Sequence, residues 1–272
     1  MRGGRLLIGV VIAIFSLISY YAMKEENPIT GENQAVGMTT DQELALGQEA
    51  APQMAREFGG LDPSPELQAF IDDVGNKLVR SSDARKTDWK FDFNLLGDGQ
   101  TVNAFALPGG PIFITKALLS RMTDEAQVAG VLGHEIGHVV ARHAAEQAAK
   151  TQLGQGLVGA VGVATSDGSG VSAGGQMAQF VAQMTLMKYG REDELQSDSL
   201  GVRFMSDAGY DPRALIDVMD ILAKASGGSG QPEFASTHPD PGNRKALIEN
   251  AIRERFPNGV EGVTRGRTIS RN

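Results

Sequence analysis

"VLGHEIGHVVARH", residues 131–143, holds three of the four histidines in a chain of 272 residues. His134 and His138 are four apart, so on a helix both project from one face, with Cβ atoms about 5–6 Å apart. Imidazoles at that spacing reach one zinc ion at the usual bond length of about 2.0–2.1 Å. Glu135 stands beside the first histidine, within reach of a metal-bound water. It completes H-E-x-x-H, which supplies two ligands and a general base in zinc hydrolases. A shuffled chain of this composition contains the pattern roughly three times in a thousand. The neighbouring Gly133, Ile136, Gly137, Val139 and Val140 are small or apolar. They predict a buried helix, where unpartnered histidines and a carboxylate are costly. Core histidines satisfied by hydrogen bonds are the plain alternative, and these features weigh against it. His143 is nine residues beyond His134 and falls on the opposite face if the helix continues, so it is expected to be a hydrogen-bonding or surface residue. Alanine at 141 and 144 excludes the metzincin pattern.

The chain has no cysteine, which removes disulfides, thiolate catalysis and cysteine metal sites. A metal is therefore held by histidine and carboxylates. "REDELQSDS", residues 191–199, places Glu194 and Asp198 four apart on a predicted helix. One carboxylate suits the metal, and the other suits orienting a ligand histidine through its free ring N–H. Taken alone the run reads as a solvated charged face; the histidine pair shifts the balance. A formal charge of −8 and a pI near 5.1 argue against nucleic acid as a partner.

The segment "MRGGRLLIGVVIAIFSLISYYAMKEE" has no charge over the 18 residues from Leu6 to Met23, about 27 Å of helix, close to a bilayer core. Tyrosines follow where a signal peptidase needs small residues, so residues 6–23 are expected to be an uncleaved transmembrane anchor. Arg2 and Arg5 precede it and acids follow. The positive-inside rule then makes residues 1–5 cytoplasmic and puts the remainder outside, in a periplasmic or other extracytoplasmic space.

Residues 24–40 are polar, with Pro28 and two glycines, and predict a linker. Two amphipathic helices follow, from Asp41 and from Ser64. "WKFDFNLL" alternates apolar and polar residues as a strand does, and "TVNAFALP" and "PIFIT" read as two more strands. Helix resumes from Thr123. The glycine-rich residues 153–175 predict a loop, and helices are expected over 176–209, 212–225 and 244–255. The basic tail, residues 259–272, is expected to be disordered, leaving 41–258 as the folded domain.

"HEIGHVVARH", "REDELQSDSLGVRFM" and "THPDPGNR", together with "NAFALPGGPIFIT", resemble the membrane-associated gluzincin metallopeptidases that include HtpX and the CAAX prenyl endopeptidases. The likeness extends in particular to their single-domain envelope branch, typified by β-barrel-assembly-enhancing proteases, and covers residues 38–258. It implies an α+β, zincin-like fold, mostly helical, with a small sheet beside the active-site helix. It implies Zn2+, one per subunit, with Glu194 as third ligand and Asp198 supporting His134. A common family form has E-A-D where this chain has Gln196-Ser197-Asp198, so the acids that matter are retained. His238, in the loop before the last helix, is by this likeness either a fourth, displaceable ligand that keeps the enzyme latent or a donor to the oxyanion; Arg244 is a second candidate donor. The likeness also favours Asn103, Ala104 and Phe105 as a strand edge that pairs with an extended substrate.

The resulting expectation is a membrane-anchored zinc-dependent endopeptidase in which a metal-activated water attacks and Glu135 is the general base. Its partners would be extended or unfolded polypeptides, such as misassembled envelope proteins, and the membrane. The rival is a membrane-tethered chaperone or assembly factor whose protease site is latent or rarely used.

Overall fold

The computed structural model describes residues 2–165, 189–226, 233–239 and 242–269. Helix α1 (Arg2–Ala22) leads into a short antiparallel pair, β1 (Lys24–Glu26) and β2 (Asn33–Ala35), then α2 (Thr40–Glu57) and α3 (Pro65–Ser81). Strands β3 (Asp92–Leu96), β4 (Ala104–Ala106) and β5 (Pro111–Thr115) precede the single turn α4 (Lys116–Leu119). Helices α5 (Glu125–Val140), α6 (His143–Thr165), α7 (Arg191–Asp207), α8 (Ala214–Ser226), α9 (Glu233–Thr237) and α10 (Arg244–Arg255) complete the order. This is an α+β arrangement, mostly helical with small sheets, preceded by one apolar N-terminal helix.

Local chemistry sets the boundaries. Thr39 and Gln42 form a reciprocal capping box on α2, Ser64 caps α3 ahead of Pro65, and Asp124 caps α5 through Gln127 N. In the three-stranded sheet β5 is central, parallel to β3 and antiparallel to β4. Ile71, Val74 and Leu78 of α3 meet Phe93, Leu95, Ile112 and Ile114 of the sheet in the main core. Every residue of α5 is buried, because α3, the sheet, α7 and α8 all pack against it.

Three segments differ from their sequence expectations. Residues 24–40 are not a free linker. Asn27 Nδ2 donates to Val140 O at 2.8 Å and Gln34 Nε2 to Ala141 O at 2.7 Å, so the β1–β2 pair satisfies carbonyls at the C-terminal end of α5. Residues 153–165 of the expected loop are helical, and 166–175 lie outside the described residues. One of their glycines permits close contact with α1: a Cβ at Gly156 would collide with Ser16 Oγ. Packing there overrides poor helix propensity.

The tail is ordered to Ile269. Arg265 pairs with Asp124 at 2.6 Å and Asp217 at 2.7 Å, and Arg267 Nε donates to Glu125 Oε2 at 2.9 Å. Basic residues in the tail were a signal of solvation only if acids were absent from the fold; here the first turn of α5 supplies them. Burial works to raise the Glu125 carboxyl, but hydrogen bonds from Arg267 and Tyr210 prevail and hold it at about 2 against an ordinary 4.5. The stabilisation is therefore complete above about pH 4.5 and is lost as pH falls toward 2. Glu125→Gln should cost about 2 kcal/mol at pH 7 and progressively less below pH 4.5, measured by denaturant titration of both proteins across that range.

Candidate active site

Helices α5 and α7 approach each other at glycine. A Cβ on Gly137 would lie 3.1 Å from Ser197 Cα and O, and one on Gly201 would lie 3.3 Å from His134 N. The two i, i+4 pairs, His134/His138 and Glu194/Asp198, therefore face one another at short range. All four are buried, as are Glu135, His238 and Arg244.

One ligand atom each from His134, His138, Glu194 and His238 lies within 4.8 Å of the others. His134 Nε2 is 3.1 Å from His138 Nε2, 3.6 Å from Glu194 Oε2 and 3.3 Å from His238 Nδ1. Glu194 Oε1 is 3.5 Å from His138 Nε2 and 3.0 Å from His238 Nδ1. Bonds of about 2.0–2.1 Å around a tetrahedral ion put ligand atoms about 3.3 Å apart, so the donor set fits such an ion. Hydrogen bonding points the same way. His134 Nδ1 lies 2.9 Å from Asp198 Oδ1; a carboxylate accepts, so Nδ1 bears the proton and Nε2 turns a lone pair toward the cluster. Glu194 Oε2 and both oxygens of Glu135 are buried without a hydrogen-bond partner.

Arg244 holds the acids. Its Nε and Nη2 donate to the two oxygens of Asp198, each at 2.7 Å, and Nη1 is 3.1 Å from Glu194 Oε2. Burial would raise both carboxyl groups. For Asp198 the hydrogen bonds from Arg244 and His134 more than offset it; for Glu194 the charge and hydrogen bond of His238, with the guanidinium of Arg244, do. Both are held below the usual carboxylate range, ionised and fit to bind a cation. Burial leaves Glu135 above the usual range and pushes His138 well below its own, so that imidazole is neutral, as a ligand must be.

The structure brings His143 to the site, which corrects its expected place on the far face of a continuing helix. Arg142 adopts a left-handed φ of 59°, so α5 ends and His143 begins a new helix. Nε of Arg142 donates to Glu43 at 2.8 Å and Nη2 to Met38 O at 2.8 Å, which holds this uncommon conformation. His143 Nδ1 then lies 2.8 Å from His138 Nδ1, and its Nε2 lies 2.8 Å from Gln196 Oε1. With Nε2 of His138 kept as a lone pair, one proton order remains: His138 Nδ1–H donates to His143, and His143 Nε2–H donates to Gln196. Gln196 is the first of the two positions where this chain departs from the common E-A-D form, and its amide oxygen accepts here.

Tyr189 was also missed. Its ring stacks on His138 at 3.9 Å and its N–H donates to Thr237 O at 3.2 Å, covering the site. No spacing rule exposes a covering residue of this kind. Of the expected substrate edge, Asn103 and Ala104 are buried and Phe105 lies between Phe58 and Phe113. Strand β4 is at the sheet edge and packs beside α5.

Residues 65–252 match Peptidase family M48. The chain belongs to this peptidase family. Among M48-type relatives, the β-barrel assembly-enhancing protease of Yersinia pestis is 30% identical over 236 residues, 85% of this chain and 48% of that protein. The mitochondrial metalloendopeptidase OMA1 of Schizosaccharomyces pombe is 30% identical over 241 residues, covering 87% and 69% of the two chains. The β-barrel assembly-enhancing protease of Escherichia coli K12 is 29% identical over 239 residues, 83% and 48%. The chain thus spans about half the length of the barrel-assembly relatives it matches. His134, His138 and Glu194 form the metal-binding group of an M48 metalloendopeptidase domain, and zinc is the metal typical of the family.

Outer partners of ligand histidines commonly tune affinity by about 10–100-fold. Asp198→Asn and His143→Ala should each weaken zinc binding by roughly that range, measured by competition with a chromophoric chelator. Circular dichroism of both variants should remain that of the parent.

Proposed function

We propose that the chain is a membrane-anchored, zinc-dependent endopeptidase that cuts extended segments of unfolded or misassembled proteins outside the cytoplasm. The observation that carries this reading is Glu135, completely buried beside the ligands with neither oxygen hydrogen-bonded. A carboxylate so placed is costly to keep without a hydrogen bond. Its raised pKa suits a group that takes a proton from the attacking water and passes it to the leaving amine. A zinc ion held by His134, His138 and Glu194 would supply Lewis acidity toward the scissile carbonyl and lower the pKa of a bound water. Asp198 keeps His134 in the ligand tautomer, and Arg244, engaged with both acids, holds them in place. That engagement favours a holding role for Arg244 over donation to an oxyanion.

The strand edge supplies the substrate reading. Thr115 N donates to Asn103 O at 3.0 Å and Leu107 N to Pro111 O at 2.8 Å. In an antiparallel ladder such residues alternate with ones whose N–H and C=O face away. Ala104 and Ala106 therefore present their backbone groups on the side away from β5, where an extended chain adds as a further strand. Such pairing uses backbone alone and suits unfolded segments of any sequence. Helix α1 is long and apolar enough to cross a membrane, and nearly all of its span is unburied. The relatives named for β-barrel assembly support an envelope setting, and the positive-inside argument puts the domain on the outer side.

A second reading, a latent protease with holding activity, is favoured by the completeness of burial. Tyr189, Phe234 and His238 close over the ligands, with His238 Nδ1 at ligand distance from Glu194 and Nε2 at 3.7 Å from Glu135. His238 then acts as the fourth, displaceable member of the group.

The first test is casein cleavage by the zinc-loaded full chain in detergent, beside Glu135→Gln. The variant should retain zinc and lose about 10²–10⁴-fold in rate; equal rates in both would sink the assignment of Glu135. Removing the metal with a chelator should abolish cleavage, and adding zinc back should restore it. If closure limits the resting enzyme, Tyr189→Ala should raise the rate roughly tenfold, equivalent to about 1.4 kcal/mol of closure. An unchanged or lower rate in that variant would remove the case for latency.

A further inference from the structure

Helix α6 leaves the active site and runs along α1. Met23 and Ala149 line one end of a shared crevice, while Ser16 meets Gly156 at the other. Seven residues back along α1 correspond to seven residues forward along α6, so the two helices are antiparallel and in register. At 1.5 Å per residue, Thr165 lies about 13 Å beyond Gly156, level with the early turns of α1. The apolar span of α1 is Gly4–Ala22, so α6 accompanies it past its midpoint.

Composition agrees with that course. From Thr151 to the end of α6 at Thr165 no side chain is charged, about 22 Å of helix against a hydrocarbon core of about 30 Å. Of its polar residues, Thr151, Gln152 and Gln155 lie at the end nearest the domain, beside Tyr20 and Ser19 of α1, and Thr165 lies at the far end, leaving Gly156 to Ala164 without a polar side chain between them. Deeper in, Val158 is 73% and Val161 63% exposed, while Ala160, on the other face, is buried. Small residues lie at the contact with α1, as in helix pairs that associate within lipid. A soluble domain has no reason to project valines from a glycine-rich helix laid against an anchor.

We propose that α6 enters the membrane beside α1, with Val158 and Val161 facing the acyl chains, so that the domain is held by a pair of helices. This rests on the reading of α1 as a membrane anchor. It also fixes the height of the active centre. His143, the first residue of α6, bonds to the ligand His138, and Thr151 is eight residues further on, about 12 Å. The β1–β2 pair ties the end of α1 to the last carbonyls of α5. The catalytic site is thereby kept close to the bilayer surface and meets polypeptide segments that lie at that surface.

The chain has no cysteine, so single cysteines report position cleanly. Val10→Cys in α1, Val158→Cys in α6 and Asn76→Cys on exposed α3 are each labelled with a bimane fluorophore in the full-length protein. The proteins are then reconstituted in vesicles with and without nitroxide-labelled lipid. Labels at Val10 and Val158 should be quenched alike, at least threefold more than the label at Asn76. Quenching at Val10 without quenching at Val158 overturns the insertion of α6 and leaves the anchor standing. No quenching at either position defeats the anchor, and this proposal falls with it. Unquenched Val158→Cys that instead forms disulfide-linked dimers assigns the valine face to a second copy of the chain, which also overturns the proposal.

Discussion

The contact on which the rest depends is the backbone-to-backbone approach of α5 and α7 at Gly133, Gly137 and Gly201. A methyl group at Gly137 would press on the Ser197 backbone, and the two helices would have to give by a few tenths of an ångström. The ligand cluster tolerates no such gap. Its donor–donor distances of 3.0–3.6 Å already match the edges of a small tetrahedron. Because both pairs are spaced i, i+4, one close crossing aligns all four side chains at once. Helix geometry supplies the spacing within each pair, and the glycines supply the distance between them.

That convergence is electrostatically expensive. Glu135, Glu194 and Asp198 are buried together against Arg244, and the imidazole lone pairs of two histidines point at one another. A divalent cation bound there would offset the excess negative charge, and Arg244 spans both acids, with Nη2 3.5 Å from His134 Nδ1. The arrangement holds its shape because α5 is secured at both ends. At its N-terminus Arg265 and Arg267 engage Asp124 and Glu125; at its C-terminus the β1–β2 pair and Arg142 occupy the free carbonyls and the turn. Segments far apart in sequence thus fix the same helix, which leaves its catalytic face little freedom to shift.

Where sequence reasoning failed, it failed in one direction, by assigning order too sparingly. The polar residues 24–40, the glycine-rich residues 153–165 and the basic tail all lack a strong pattern of their own. Each is ordered by a partner that local pattern does not reveal: the end carbonyls of α5, the surface of α1, and the acids at the start of α5. His143 is a hydrogen-bonding residue as expected, but its side of the helix was misplaced for a related reason. The helical wheel assumes that the helix continues, whereas Arg142, held by Glu43 and Met38, turns the chain. A left-handed arginine stabilised by distant residues leaves no local signature.

The sequence by itself determined the elements whose physics is local. His134, Glu135 and His138 share a helix turn, Glu194 and Asp198 share another, and the absence of cysteine restricts a metal to nitrogen and oxygen donors. Strand alternation placed the sheet, and an uncharged run marked α1. Tertiary structure alone decided which groups meet: His238 from a loop against Glu194, Arg244 across both acids, Gln196 through His143 to His138, and Tyr189 over the imidazole. Periodicity constrains neighbours within a few residues, whereas these contacts join positions tens of residues apart. Their geometry comes from the packing of helices around α5, and no single segment encodes it.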